Sequence, residues 1–209
     1  MSLGAEFIYS IDSCPHLLQE LKDSALEKQV FSKIKMIEDD FLTFQKHLDG
    51  TLVDLIVCMG DSPSHLASLH EINILFQSVF DSLLPDGGIF LLQFRDLTKE
   101  LYEGDRFIPI KSDERTVFTC FLEWLPLGGG GDIDDGHQMI TSDGSGRTVK
   151  VFDLVHVKKG IGAWELCTSW YKKLALSLAF CHEKLKDIGF RKVESQLGQD
   201  GMVFIKALK

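Results

Sequence analysis

Between Asp54 and Leu66 the sequence runs DLIVCMGDSPSHL, with an apolar stretch from Leu55 to Met59 that stops abruptly at Gly60-Asp61-Ser62-Pro63. An unbroken apolar run of this kind reads as a strand buried on both faces of a parallel sheet, and the glycine and short polar residues supply a tight exit. In open α/β sheets, small molecules bind beyond the carboxyl ends of the strands, which puts Met59, Gly60, Asp61 and Ser62 on the rim of a candidate crevice. The same residues also read as an ordinary strand-to-helix loop.

The rest of the chain alternates around this segment. EFIYSID (Glu6 to Asp12) is a short β-rich run closed by an acid, and Pro15 then opens a helix whose Leu17, Leu18, Leu21, Ala25 and Leu26 form an apolar stripe. KIKMIEDD (Lys33 to Asp40) repeats the pattern of a strand ending in carboxylates, and Phe41 to Leu48 is a short helical candidate. After the opening strand, Leu69, Ile72, Leu75, Phe76, Val79, Phe80 and Leu83 recur at spacings of three and four, predicting an amphipathic helix over His65 to Leu84. Pro85-Asp86-Gly87-Gly88 stops it, and Ile89 to Phe94 forms another apolar strand leading to Arg95 and Asp96.

Strand and helix in alternation imply right-handed crossovers and a parallel sheet. Beyond Phe94 the pattern changes: TVFTCFLEWL (from Thr116), TVKVFDLVHV (from Thr148) and WELCTSWY (from Trp164) are β-rich runs without helices between them, predicting an antiparallel meander over the strands' carboxyl ends. Leu127 to Arg147, rich in Gly, Asp and Ser, reads as a mobile loop. Gly128 to Gly131 is followed by Asp132, Asp134 and Asp135, which repel anions, so the glycine run is no phosphate cradle. Leu176 to Leu185 resumes a helix ended by Gly189, and Arg191 to Ser195 with Met202 to Leu208 closes as a hairpin.

Composition narrows the function. The 209 residues, 44% of them apolar, suit one globular unit with a substantial core. A net charge of -9, from 31 acids against 22 bases and without a basic run, argues against nucleic acid or an anionic membrane as partner. A small molecule or another protein fits better. The five cysteines are scattered, mostly in apolar surroundings, and read as reduced thiols; no His/Cys/Asp cluster has metal-ligand spacing. The opening has no charged-then-apolar leader and no apolar stretch approaches the ~20 residues that span a bilayer, so the sequence reads as cytoplasmic.

Strands ending in Asp12 and in Asp39-Asp40-Phe41, the DLIVCMGDSPSHL stretch, a helix ending in LLPDGG, a further strand and a final helix-plus-hairpin together resemble the class I, Rossmann-like S-adenosylmethionine-dependent methyltransferases. The resemblance covers nearly all of the chain. CMGDSPSHL and PDGGIFLLQFRD resemble the small-molecule branch that includes glycine N-methyltransferase, where a Gly-Asn-Ser-x-x-His-Leu and a His-Arg-Asn pattern occupy these places. Asp61 stands where that asparagine would be, and Gln93-Phe94 departs from the second pattern.

The resemblance implies an α/β fold, a mainly parallel twisted sheet with antiparallel C-terminal strands and an inserted β meander, in one domain. Residues 1–97 would be the cofactor-binding portion, 98–175 the meander or lid, and 176–209 the C-terminal helix and hairpin. It implies S-adenosylmethionine as cofactor and a small-molecule methyl acceptor. Asp12 would accept the ribose hydroxyls and Asp40 the adenine amino group, with Phe41 against the base and Met59 and Gly60 flanking the cofactor through their backbones. Helix capping before Pro15 is the other reading of Asp12; for Asp40 it is a solvated acidic turn, or replacement in the role by Asp39. Asp61, His65 and Arg95 would contact substrate, Arg95 as a bidentate carboxylate clamp or, alternatively, as the ion-pair partner of Asp96 or Asp105. His65 reads as a base or as part of the first turn of its helix, and His70 lies a turn further on. No residue is assigned a catalytic role, since methyl transfer is driven by alignment and desolvation.

Family members carry another strand and a glycine-rich turn before the strand ending in Asp12, where this sequence offers eleven residues. That strand and helix are expected to be absent, leaving a vacant position beside the strands ending at Asp12 and Met59, with weak cofactor binding and self-association through the vacancy as expected consequences. Two classes stay open: a methyltransferase, and a truncated, non-catalytic methyltransferase-like protein that serves as an interaction module.

Overall fold

Ile8–Asp12 (β1) and Ile34–Glu38 (β2) pair in parallel, with Asp12 opposite Glu38, and the helix Pro15–Glu27 (α1) makes the crossover between them. Proline at the first helical position costs no hydrogen bond there, since that N–H has no partner within a helix. Phe41–His47 is a 3-10 helix rather than an α-helix, begun by Asp40, whose side chain accepts from the Leu42 N–H at 2.8 Å. The computed structural model describes residues 4–99, 101–125, 140–160, 162–198 and 201–209. These group into two units, Met1–Leu52 and Val53–Lys209, and the elements above belong to the first.

In the second unit Leu55–Cys58 (β3) and Ile89–Arg95 (β4) pair in parallel through the helix Leu69–Ser82 (α2). The segments holding Ile56 and Leu91, expected side by side at the centre of the sheet, are adjacent, but among the described strands β3 stands at the edge. The sheet is nevertheless mixed: Met202–Leu208 (β10) inserts antiparallel beside β4, and Lys192–Leu197 (β9) pairs antiparallel with β10, giving the order β3-β4-β10-β9. The antiparallel C-terminal strands and the inserted meander are as expected, while the parallel pairing expected of a single sheet is divided between β1-β2 in the first unit and β3-β4 in the second.

Helix α2 begins at Leu69 rather than His65. Asp61 takes a left-handed backbone (φ 67), Ser62–His65 forms a single 3-10 turn, and Leu66 is extended. The α-helix starts only where Ser68 accepts from the Glu71 N–H at 3.3 Å while Glu71 accepts from the Ala67 N–H at 2.7 Å, a reciprocal cap written in the sequence as Ser-x-x-Glu. Its apolar face and that of Leu178–Ile188 (α3) cover one side of the mixed sheet, with Ile72, Phe76, Phe90, Phe94 and Val203 fully buried. Phe76 meets Phe90 at 6.0 Å and Phe80 meets Phe190 at 5.1 Å, both edge-on. Each such side chain contributes about 1.5–3 kcal/mol by leaving water. Leu55 and Val57, expected to be buried, are 49% and 52% exposed, because β3 pairs with β4 alone among the described strands and points these side chains to the other face.

Four strands follow one another antiparallel: Phe107–Ser112 (β5), Thr116–Trp124 (β6), Thr148–Lys159 (β7) and Ala163–Leu174 (β8). Strand β5 escapes sequence patterning because Pro109 interrupts it; the register slips between Pro109 and Lys111, a disturbance tolerated at a sheet edge. One face of the meander packs around Leu97, Leu122, Val149 and Val151. On the other face Phe107, Phe121, Phe152 and Trp170 are direct register partners in one row across all four strands. Arg106 lies 4.6 Å from the Phe121 ring, and Lys150 lies 4.6 Å and 4.3 Å from Phe152 and Trp170. The first part of the expected loop from Leu127 to Arg147, with the acidic run after Gly131, lies in 126–139, outside the described residues; its described end, 140–147, is tied down, with Ser145 buried and accepting from the Ser177 N–H at 3.0 Å and the Gly146 N–H donating to the Ala175 carbonyl at 2.9 Å. No described helix is long and apolar enough to cross a membrane.

Candidate functional site

Where β3 and β4 end, the meander stands over their carboxyl edge and forms with it a half-open cavity of about 290 Å³. Gly60, Asp61, Gln93 and Arg95 line it from the sheet, while Ile108, Cys120, Leu122, Val151, Tyr171 and Lys173 close it from the meander. Three of the expected residues, Gly60, Asp61 and Arg95, therefore share one cavity, as expected of strand ends pointing the same way.

Asp61 is the hub. Its carboxylate accepts from the Arg95 backbone N–H at 2.9 Å and forms an ion pair with Lys173, their side chains being 11% and 12% exposed. Its carbonyl accepts from the Ser64 hydroxyl at 2.7 Å. A short acid suits this position because the left-handed backbone turns it back toward β4, and aspartate tolerates that conformation better than most residues. Gly60 (φ 72) donates its N–H to the Gln93 side chain at 2.9 Å, which ties the turn to the neighbouring strand. Gln93, a departure from the pattern the sequence resembles, thus has a structural partner.

Tyr171 and Lys173 were not signalled by the sequence: both fall in an alternating β run more than 100 residues from Asp61, and only the chain's return places them here. The Tyr171 phenol is pushed up to about 12 by burial, then by the charge of Asp153, and so stays protonated as a donor. Burial and a hydrogen bond to Asp153 raise the Cys120 thiol to about 11, so it is no nucleophile at neutral pH. His65 stacks on Tyr171 with ring centroids 5.5 Å apart and does not line the cavity. Its pKa is lowered by desolvation and by the Lys173 charge, which keeps the imidazole neutral. Met59 lines a separate hollow with Leu91 and Phe204. His70 is exposed on α2.

In the first unit, β1 and β2 bring Asp12 and the Asp39-Asp40 pair to one edge, where the Asp39 N–H donates to the Asp12 carbonyl at 3.2 Å. Asp12 Oδ1 accepts from the Cys14 N–H at 2.8 Å, a local turn ahead of α1 rather than a helix cap, since the cap position is Cys14 and makes no side-chain capping bond. Asp39 is committed to Lys46 and His47, which with the Asp40 N–H hold its carboxyl well below the usual carboxylate range. Asp40 uses one carboxylate oxygen on Leu42 and has no ion-pair partner among the described residues, so it, rather than Asp39, keeps an oxygen for a ligand. Phe41 opens the 3-10 helix beside it, half-buried. Among the described residues no His, Cys, Asp and Glu cluster could hold a metal ion.

No family model matches the sequence, and no curated protein matches it. Solved structures do. The chain is similar to the CcbJ methyltransferase from Streptomyces caelestis, with a TM-score of 0.72 and 15% identity over 99% of this chain and 75% of that one. It is similar to an S-adenosylmethionine-dependent methyltransferase from Clostridium acetobutylicum, with a TM-score of 0.65 and 14% identity over 96% and 74%. A third is CalS10, an amino pentose methyltransferase from Micromonospora echinaspora solved with S-adenosylmethionine bound, with a TM-score of 0.65 and 12% identity over 97% and 74%. At these identities the likeness shows a shared α/β fold.

Proposed function

We propose that this chain is an S-adenosylmethionine-dependent methyltransferase acting on a small molecule, with an amine as the methyl acceptor. The observation that carries the reading is the cavity at the ends of β3 and β4, in a chain that matches methyltransferase structures over nearly its whole length. A volume of about 290 Å³ suits a small acceptor rather than a polymer segment.

The proposed roles follow from what each residue has to offer. In the first unit, Asp12 ends β1 and Asp40 follows two residues after β2, and each has one carboxylate oxygen outside its local backbone bond, as acceptors for ribose hydroxyls and an adenine amino group require. Phe41 offers a ring edge to the base. In the second unit, Met59 and Gly60 would border the cofactor with their backbones, at a turn where even an added Cβ on Gly60 would meet nothing within 4 Å. S-adenosylmethionine supplies an electrophilic methyl group, so the chain's own task is alignment and exclusion of water. Arg95, at the cavity wall, would orient an anionic group of the acceptor; Asp61 would fix Lys173 and the end of β4; the Tyr171 phenol would donate a hydrogen bond. His65, behind Tyr171, would position that ring rather than touch the substrate.

A second reading, a methyltransferase-like interaction module without catalysis, is favoured by the exposed apolar side chains of Trp164, Leu166 and Trp170 on β8. Calorimetric titration with S-adenosylmethionine and S-adenosylhomocysteine separates the two. Micromolar binding of both, weakened in Asp12→Ala and Asp40→Ala, supports the enzyme. No heat at millimolar ligand overturns it in favour of the module.

A further inference from the structure

The two edges of the meander differ in a way that points to a partner. Edge strands usually carry proline, lysine or a bulge that prevents pairing with another chain. Strand β5 has both Pro109 and a register slip. Strand β8 has neither: its twelve pairs with β7 are continuous, from Ala163 opposite Lys159 to Leu174 opposite Thr148. Every residue from Ala163 to Trp170 is exposed, on both faces of the strand. The single charge in that stretch, Glu165, is neutralised by Lys159 at 3.4 Å.

The backbone of this edge is ready to pair. The Ala175 N–H donates to the Arg147 carbonyl at 2.8 Å, which fixes the alternation of the ladder. Odd-numbered residues of β8 bond to β7, while Trp164, Leu166, Thr168 and Trp170 direct their N–H and C=O groups away from it. The same four side chains lie on the face that carries the aromatic row, where Trp164, Leu166 and Trp170 are 46%, 51% and 57% exposed.

We propose that β8 pairs antiparallel with β8 of a second copy of this chain about a two-fold axis through Cys167. In that register Trp164 of each copy faces Trp170 of the other, Leu166 faces Thr168, and Glu165 faces Ser169, so no like charges meet. The row Phe107, Phe121, Phe152 and Trp170 then continues into Trp164 of the second copy, and by the two-fold axis the second copy's row continues into Trp164 of the first. The occupant must present its own free edge with matching apolar side chains, and this strand is its own complement. Half-exposed Trp164, Leu166 and Trp170 flank the seam from both copies, and the seam itself pairs the outward backbone groups of Trp164, Leu166, Thr168 and Trp170.

The test is size and cross-linking on the full chain. Light scattering at tens of micromolar protein should give about 47 kDa, twice the 23.5 kDa of one chain. Cys167 is the exposed one of the five cysteines, and opposed residues at its position in such a ladder sit ~4.5 Å apart at Cα, within disulfide range. Mild oxidation should therefore link the dimer in the natural chain and not in Cys167→Ser. Leu166→Lys, with an unchanged far-ultraviolet spectrum, should run as the monomer. A natural chain of 23.5 kDa, or a dimer that survives Leu166→Lys and does not link through Cys167, overturns the proposal and leaves the edge to a different partner.

Discussion

Replacing Lys173 by methionine removes one charge from a buried pair while keeping the length and apolar stem of the side chain. Asp61 is then left at 11% exposure with its Arg95 N–H bond but no cation. Breaking one half of such a pair costs about 3–5 kcal/mol, because the remaining charge stays desolvated. For a unit the size of Val53–Lys209, 157 residues (209 − 53 + 1), each kcal/mol moves Tm by about 2–4 °C, so a fall of about 10 °C is expected. The assay is thermal unfolding beside urea titration, with Lys173→Met, Asp61→Asn and the double variant. Asparagine keeps an oxygen for the Arg95 N–H and accepts the left-handed backbone, so the double variant should regain at least ~1.5 kcal/mol over the sum of the singles. A Tm shift below about 3 °C for Lys173→Met, or strict additivity, would refute the view that this buried pair ties the meander to the end of β4.

His65 has its pKa lowered in the folded state, so the unfolded chain binds a proton more readily. Stability from this residue is present above its unfolded value of about 6.5 and is lost as pH falls below it; His65→Gln should flatten the dependence between pH 7.5 and 5.5 in urea melts. Gly88→Ala should destabilise by about 1–3 kcal/mol, because the added Cβ would sit 2.5 Å from the Leu84 carbonyl and 2.8 Å from the Leu83 Cβ; an unchanged urea midpoint would contradict the packing described. Asp12→Ala should weaken S-adenosylmethionine binding by about 1–3 kcal/mol in calorimetry, and unchanged affinity would remove Asp12 from the cofactor's contacts.

Periodicity revealed what local chemistry determines. Pro15 and the leucines after it marked α1, and the run to Met59 with Gly60-Asp61 marked both a strand end and the cavity rim. Where the reading failed, a local signal was outweighed or overlooked. The helix was started four residues early because Ser68 and Glu71 cap it from within the apolar pattern. Strand β5 was hidden by Pro109. Leu55 and Val57 looked doubly buried because apolarity shows that a strand is pleated into a sheet but not whether both faces are covered. In the candidate site, Gly60, Asp61 and Arg95 were visible because each sits at or just past the end of a strand. Tyr171 and Lys173 were not, since nothing near them in sequence marks the point at which a long antiparallel strand crosses the end of a distant parallel pair.

Placing β10 between β4 and β9 also dictates when the second unit can be completed during synthesis. Strand β4 ends at Arg95 and β10 begins at Met202, so 107 positions (202 − 95) must be made before the sheet's inner strand exists. Until then β3 and β4 offer two strands and one helix, too little to be stable alone, with the apolar side of β4 uncovered. Even the end of α2 waits, because Lys209 closes it by donating to the carbonyls of Phe80 and Leu83 at 2.6 and 2.9 Å. A nascent chain stalled inside the meander would therefore expose Phe90 and Phe94 to chaperones and proteases, so the unit matures late and as a whole.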